Sequence, residues 1–178
     1  IRNVTNVDLE FFVHGALCVS FSGQCYFSQV AQGRSANRGE CAQMCRLPYT
    51  LTDSRGNVLA SNQHVLSLND LNLSDYLADL VDAGVTSFKI EGRLKEVSYV
   101  KNITAFYRAK LDALIEERDE FRRSASGKTV FSFSPDPEKS FNRGTTDYFI
   151  RGRRREIVSL HTPKSVGKLL GTVRSVGN

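Results

Sequence analysis

Cys18, Cys25, Cys41 and Cys45 stand within 28 residues in the spacing C-x6-C-x15-C-x3-C, and no cysteine occurs elsewhere in the chain. Thiols clustered this way have three uses. Disulfides staple small secreted domains, and nothing in this sequence marks it as one. Structural zinc prefers two close pairs of the type C-x2–4-C; Cys41 and Cys45 fit that spacing, whereas Cys18 and Cys25 do not. An iron–sulfur cluster asks for thiolates whose spacing follows the fold, and the pattern leans modestly toward it. The C-x3-C-x2-C spacing of radical-type clusters is not met, because Pro48 stands where its third thiol would be. On spacing alone all three readings stay open.

Other side chains near these thiols have chemistry to offer. His14 sits four residues before Cys18, either as an acid or base near neutral pH or as a hydrogen-bonded ring that orients the loop. Arg34, Arg38 and Arg46 could hold phosphate or carboxylate groups, or be solvated loop charge. Tyr26, Phe27 or Tyr49 could stack on a planar ligand, although core packing is the commoner role of any aromatic. Glu91 and Arg93 fall at a strand end, where they could bind substrate or pair with each other. The run ending in Arg153, Arg154 and Arg155 suits RNA phosphates or a solvated loop. Gly15, Gly23, Gly33 and Gly39 are expected to let backbone amides approach the sulfurs.

Elements to position these groups can be read from periodicity. Leu9, Phe11 and Val13 alternate, predicting a strand that ends just before Cys18. Residues 20–46 read as a long irregular segment of the kind that carries function. Residues 49–59 predict a hairpin and His64 to Leu68 a short strand. Asn72 to Asp75 supply an N-cap for a helix bearing Leu77, Leu80 and Val81, with Gly84 just past its end. Residues 85–90 form the next predicted strand. A long helix is expected from Glu96 to Arg123, with Val100, Ile103, Tyr107, Leu111, Leu114 and Ile115 on one face. Strand alternating with helix argues for an α/β fold with a parallel sheet or (β/α) barrel, whose working groups lie at the strands' C-terminal ends. Residues 1–125 are therefore expected to be the C-terminal part of a TIM-like barrel carrying the cysteine loop. Residues 126–156, opened by the linker Ser124 to Gly127, form a basic connecting segment with a strand-like stretch from Lys128 to Ser134. Residues 157–178 alternate like the start of a β-rich domain.

With 24 Lys+Arg against 19 Asp+Glu the net charge is +5, which makes nucleic acid a mildly favoured partner. At 40% hydrophobic content the composition is that of a folded soluble chain, not a disordered tail. No run of about 18 apolar residues occurs, and the first residues resemble no signal peptide. A membrane partner is not expected, and the cytoplasm is the expected location. Because the chain opens on Ile1, it is expected to be a piece of a longer protein whose upstream strands lie elsewhere, and to be poorly stable or self-associating when alone. H-E-x-x-H and G-x-S-x-G are both missing from the sequence, which removes the simplest zinc-peptidase and serine-hydrolase readings.

Longer blocks carry a resemblance. Residues 10–18 (Glu-Phe-Phe-Val-His-Gly-Ala-Leu-Cys), 22–28 (Ser-Gly-Gln-Cys-Tyr-Phe-Ser) and 34–41 (Arg-Ser-Ala-Asn-Arg-Gly-Glu-Cys) resemble the signature of the collagenase-like peptidase family of unknown catalytic type, family thirty-two. Residues 42–49, the run Lys89-Ile90-Glu91-Gly92-Arg93, and Phe141-Asn142-Arg143-Gly144 resemble further family blocks. The resemblance implies a [4Fe-4S] cluster on Cys18, Cys25, Cys41 and Cys45, supplied by iron–sulfur assembly machinery. It also implies hydroxylation of RNA at C5 of a pyrimidine, with prephenate as co-substrate. The Cys-Arg-Leu-Pro-Tyr ending of the fourth block is closest to the branch that makes 5-hydroxycytidine in large-subunit (23S) ribosomal RNA. The tRNA wobble-uridine branch, a collagenase-like peptidase, and a non-catalytic iron–sulfur or RNA-binding scaffold are the alternatives.

Overall fold

A computed structural model describes residues 1–123 and 125–176. Ser124 of the expected linker and Gly177-Asn178 at the end of the alternating run lie outside the described residues. Among the described residues no helix is long and apolar enough to cross a membrane.

The framework is a mixed four-stranded sheet. Its central strand, β1 (Glu10–Ala16), is the alternating segment that precedes the first cysteine. After it come α1 (Phe27–Gln32), a hairpin of β2 (Tyr49–Thr52) and β3 (Val58–Gln63), and then β4 (Asp70–Asn72), α2 (Leu77–Asp82), β5 (Ser87–Ile90), α3 (Val97–Glu117) and β6 (Thr145–Thr146). The strand order is β5-β1-β4-β6. β5 lies parallel to β1, from Glu10 opposite Ser87 to His14 opposite Ile90. β4 runs antiparallel, with His14 opposite Asn72 and Ala16 opposite Asp70. The fold is thus mixed α/β, with a parallel β1–β5 pair inside a sheet that is not wholly parallel.

The core lies between this sheet and the helices. Val13 and Leu71 from the strands, Leu73, Leu77 and Leu80 from the α2 region, and Tyr99, Ile103 and Tyr107 from α3 are buried together. The expected N-cap at Asn72–Asp75 is a turn instead, in which Asn72 Oδ1 accepts from the Ser74 N–H at 3.1 Å, and α2 starts at Leu77 with no side-chain cap. Gly84, at φ +82°, turns the chain out of it into β5.

Four expectations of regular structure differ from what is found, and each difference has a local cause. His64 to Leu68 is a turn with one isolated bridge, not a strand, and the third sheet strand is the later segment β4. The His64 ring bonds the Arg46 carbonyl (2.8 Å) and the His64 backbone N–H donates to Leu160 O (3.0 Å), so that amide is not free for a strand ladder. Helix α3 ends at Glu117, six residues early. Past Ile115 the sequence places acids at the helix C-terminus, where the dipole disfavours them, and Arg118 leaves the helix with its guanidinium on Asp82. Lys128 to Ser134 forms no strand, and Val130 in it is fully solvated. Residues 157–176 contain a single bridge, Val158 to Leu68, and leave Leu169, Leu170 and Val173 exposed.

Gly15 is the tightest point of the sheet. It takes φ +127°, and a Cβ there would sit 2.8 Å from Glu91 Cβ and 3.0 Å from Glu91 O. Gly15→Ala is therefore expected to destabilise the fold by about 3 kcal/mol, strain and overlap together. Gly39→Ala, with φ +87° but open space around it, should cost only about 1 kcal/mol. Urea unfolding midpoints of the two variants measure the difference.

Candidate functional site

β1 and β5 run parallel, so their C-terminal ends open on the same side of the sheet, and the cysteine loop and the Glu91–Lys95 loop leave from there. All four thiols are free; Cys18 and Cys41 are exposed, Cys25 and Cys45 half-buried. They are gathered closely enough that Cys18, Cys41 and Cys25 each help to raise the Cys45 pKa, after burial, its largest cause; Arg46 opposes the rise. The Gln43 N–H donates to Cys41 Sγ at 3.3 Å, the kind of amide–sulfur contact that tunes a thiolate site. Among the described residues no three His, Cys, Asp or Glu side chains are closed to the spacing of a bound ion, so the thiols share a neighbourhood without forming a finished cage. A set of four soft sulfur donors, with no carboxylate or imidazole in it, fits zinc or an iron–sulfur cluster.

Two arginines fasten this loop. Arg46, expected to face an anionic ligand, is instead buried and directed at internal acceptors: Leu17 O (2.8 Å), Leu68 O (2.5 Å) and Ser67 Oγ (3.0 Å). Burial is the largest cause of its lowered pKa, and Arg143 adds to it. Arg93 donates to Gly39 O at 2.7 Å, two residues before Cys41. Glu91 is not paired with Arg93 through its guanidinium; its Oε1 accepts the Arg93 backbone N–H at 2.6 Å and caps the turn. The loop glycines differ from expectation as well. Gly23, Gly33 and Gly39 have nothing within 4 Å of a Cβ and answer only the need for positive φ, while Gly15 closes on Glu91 and not on a sulfur.

The two loops border a cleft of about 1090 Å³, lined by Ala16 and Gln43 on the cysteine side and by Glu91, Arg93, Lys95 and Tyr99 opposite. Phe133, Phe141 and Arg143 complete its aromatic and basic wall. Arg143 is anchored by a buried ion pair with Asp70 (2.9 Å) and by donation from Nε to Pro163 O (2.8 Å). Sequence reasoning missed Lys95, Phe141 and Arg143 as a group. The signal available was that the Lys-Ile-Glu-Gly-Arg and Phe-Asn-Arg-Gly blocks both carry cations beside turn glycines.

Remaining residues fall elsewhere. His14 does not line the cleft; its ring is buried between Tyr99 and Tyr107, edge-on to the latter at 5.5 Å. The Tyr107 hydroxyl donates to Val13 O (2.9 Å), lies 3.2 Å from Asn72 Oδ1, and meets His14 Nδ1 at 3.3 Å. Tyr107 and Tyr99 are both pushed up by burial, the latter to about 12. Phe27 and Tyr49 pack on each other at 5.8 Å, and Tyr49 Oη donates to Met44 O (2.8 Å), leaving Tyr26 as the exposed ring of the three. Arg34 and Arg38 are exposed, and Arg38 borders a separate cavity of about 500 Å³ with Tyr26. Arg154 pairs with Asp147, while Arg153 and Arg155 stay solvated without side-chain partners among the described residues.

Four clustered thiols thus lie at the C-terminal edge of an α/β sheet, beside a cleft lined by Arg93, Lys95 and Arg143. The sequence pattern of Peptidase family U32 matches residues 1–159, and the chain belongs to that family. It is 53% identical over 176 residues to the 23S rRNA 5-hydroxycytidine C2501 synthase of Escherichia coli, covering 99% of this chain and 27% of that protein. It is 37% identical over 149 residues to a collagenase of Porphyromonas gingivalis (83% and 39%), and 29% identical over 182 residues to tRNA hydroxylation protein P1 of Bacillus subtilis (97% and 42%). The chain thus spans between about a quarter and two fifths of the length of these relatives. No solved structure matches it.

Burial, the dominant cause, holds the His14 pKa near 4, against opposing contributions from the Asp70 charge and a hydrogen bond to Asn72. In the unfolded chain the ring titrates near 6.5, so as pH falls between those values only the unfolded state gains the proton and stability drops. The loss should approach about 3 kcal/mol by pH 4. Urea titrations at pH 7.0 and 4.5 on the natural protein and His14→Gln test this. The variant should lose measurably less over that interval.

Proposed function

We propose that the chain is part of an enzyme that hydroxylates RNA at C5 of a pyrimidine, with a cytidine of 23S ribosomal RNA as the substrate. A [4Fe-4S] cluster on Cys18, Cys25, Cys41 and Cys45 and prephenate as co-substrate complete the reading. The observation that carries it is the gathered four-thiol loop beside a basic, aromatic cleft, in a chain 53% identical to an rRNA 5-hydroxycytidine synthase over nearly its whole length. A tRNA substrate is the second reading, supported by the similarity to tRNA hydroxylation protein P1. Residues 1–125 belong in this reading to a TIM-like barrel and residues 157–178 open a β-rich domain. Iron–sulfur assembly proteins are upstream partners, and the cytoplasm is the site of action.

The cluster, when bound, supplies redox chemistry next to the cleft. The chain's own residues do the rest. Arg46 and Arg93 hold the two halves of the cysteine loop against the sheet. Tyr26 offers an exposed ring for a base, and Arg34, Arg38, Arg153 and Arg155 offer solvated charge for the RNA backbone.

Anaerobically purified natural protein should contain about four irons and four sulfides per chain, with the matching visible absorption. A Cys41→Ser/Cys45→Ser variant should lose both, and RNA from cells carrying it should lack the hydroxylated pyrimidine by mass spectrometry. Stoichiometric zinc in place of iron, with the nucleoside unchanged in the variant, would overturn the proposal.

A further inference from the structure

Among the described residues, Lys95 is the one cleft cation that combines partial burial with an unused charge. Its Nζ stands 3.3 Å from the centroid of the Phe141 ring and 5.4 Å from that of Tyr99. Among the described residues it makes no hydrogen bond and no ion pair, although an ammonium carries three donors. The nearby carboxylates are engaged elsewhere. Asp70 gives Oδ1 to the Arg143 guanidinium (2.9 Å) and Oδ2 to the Arg143 N–H (3.2 Å), and Glu91 Oε1 takes the Arg93 N–H. Aromatic faces attract a cation but satisfy none of its N–H groups as an oxyanion would.

The backbone holds this arrangement at a cost. Leu94, immediately before Lys95, takes φ +59° with its side chain solvated at the cleft edge, a left-handed conformation unfavourable for leucine. The next residue closes the turn by donating its N–H to Gly92 O at 3.0 Å. A strained turn that delivers an unpaired ammonium between two rings, inside a cleft of small-molecule dimensions, has the form of a preorganised receptor.

We propose that Lys95, set against Phe141 and Tyr99, is the anchor of an oxyanion-binding site in this cleft and receives a carboxylate or phosphate group of the ligand. The proposal rests on the function above only for the two sources it names: the carboxylates of prephenate, or a phosphate of the RNA. Burial, the largest influence on the ammonium, lowers its pKa, and the like charge of Arg143 adds to this while Asp70 opposes it. An incoming anion offsets the cost of burying the ammonium.

The test compares the natural protein with Lys95→Met and Lys95→Arg, each first checked for an unchanged melting curve. Calorimetry then follows binding of inorganic phosphate, prephenate and a single-stranded oligoribonucleotide. Lys95→Met should weaken at least one probe about tenfold or more, and Lys95→Arg, which keeps the charge, should stay much closer to the natural protein. A loss confined to prephenate identifies a carboxylate site, and one confined to the oligoribonucleotide identifies a backbone phosphate. If the natural protein binds phosphate through Lys95 but takes up neither prephenate nor RNA, the site stands and the proposed function falls. Unchanged affinity of Lys95→Met for every probe, or no binding of any probe to the natural protein, overturns the site.

Discussion

A buried guanidinium ties the two ends of the cysteine loop to one place. Arg46 follows Cys45 directly, and it donates to the carbonyl of Leu17, the residue before Cys18. The first and last thiols are therefore fastened through one side chain, while two further donations, to Leu68 O and Ser67 Oγ, fix that side chain to the approach to β4. Charge-assisted bonds of this kind contribute about 1.5–3 kcal/mol each, and their removal would strand buried acceptors at about 1–3 kcal/mol apiece. A 28-residue span with only short helical turns could not otherwise return its ends to the same spot, because loop closure opposes it entropically. Lysine could not replace arginine here: a point charge cannot reach three acceptors in different directions with a planar fork.

The same constraint reaches the cleft through Asp70. That carboxylate, at the start of β4, is held by Arg143 and is also felt by Arg46, so two buried cations share one acid. Lys95 lies near this cluster, where burial lowers its pKa, Asp70 and Glu91 favour its charge, and Arg143 and Arg46 oppose it. On the opposite side Arg93 ties the loop after β5 to Gly39. Because β1 and β5 are parallel neighbours, these ties converge at one end of the sheet. The thiols and the basic cleft are adjacent as a consequence of strand direction and two arginines, with no dedicated element between them.

What was legible in the sequence is what local pattern controls. β1, the hairpin, the Gly84 exit of α2, and β5 follow from alternation and turn residues, and the thiols announced themselves by density. Interactions between distant residues were not legible. Arg46 looks like any loop arginine until carbonyls at positions 17 and 68 are placed around it. Lys95 and Phe141 are 46 positions apart, and neither type alone suggests a site. The strand expected at His64 to Leu68 yielded to side-chain and backbone bonds with Arg46 and Leu160, partners far along the chain. The alternating residues 157–176 make one bridge, Val158 to Leu68, because period-two patterning becomes a strand only where another strand is available to pair with it.

The position of the histidines bears on the peptidase name carried by the family. Thiol proteolysis needs an imidazole within hydrogen-bond reach of a thiolate nucleophile. In this chain the His14 ring is buried among tyrosines and kept neutral, and the His64 ring is bonded to the Arg46 carbonyl. Burial, the largest cause, and the three companion thiols raise the Cys45 pKa against the opposing Arg46, the reverse of the activation a nucleophilic thiol needs. The Gln43 amide donates to the neighbouring Cys41 Sγ, while the Arg46 guanidinium is spent on Leu17 O, Leu68 O and Ser67 Oγ. On the proposed reading these thiols act together as a ligand set, and neither His14 nor His64 is free to activate one of them as a nucleophile.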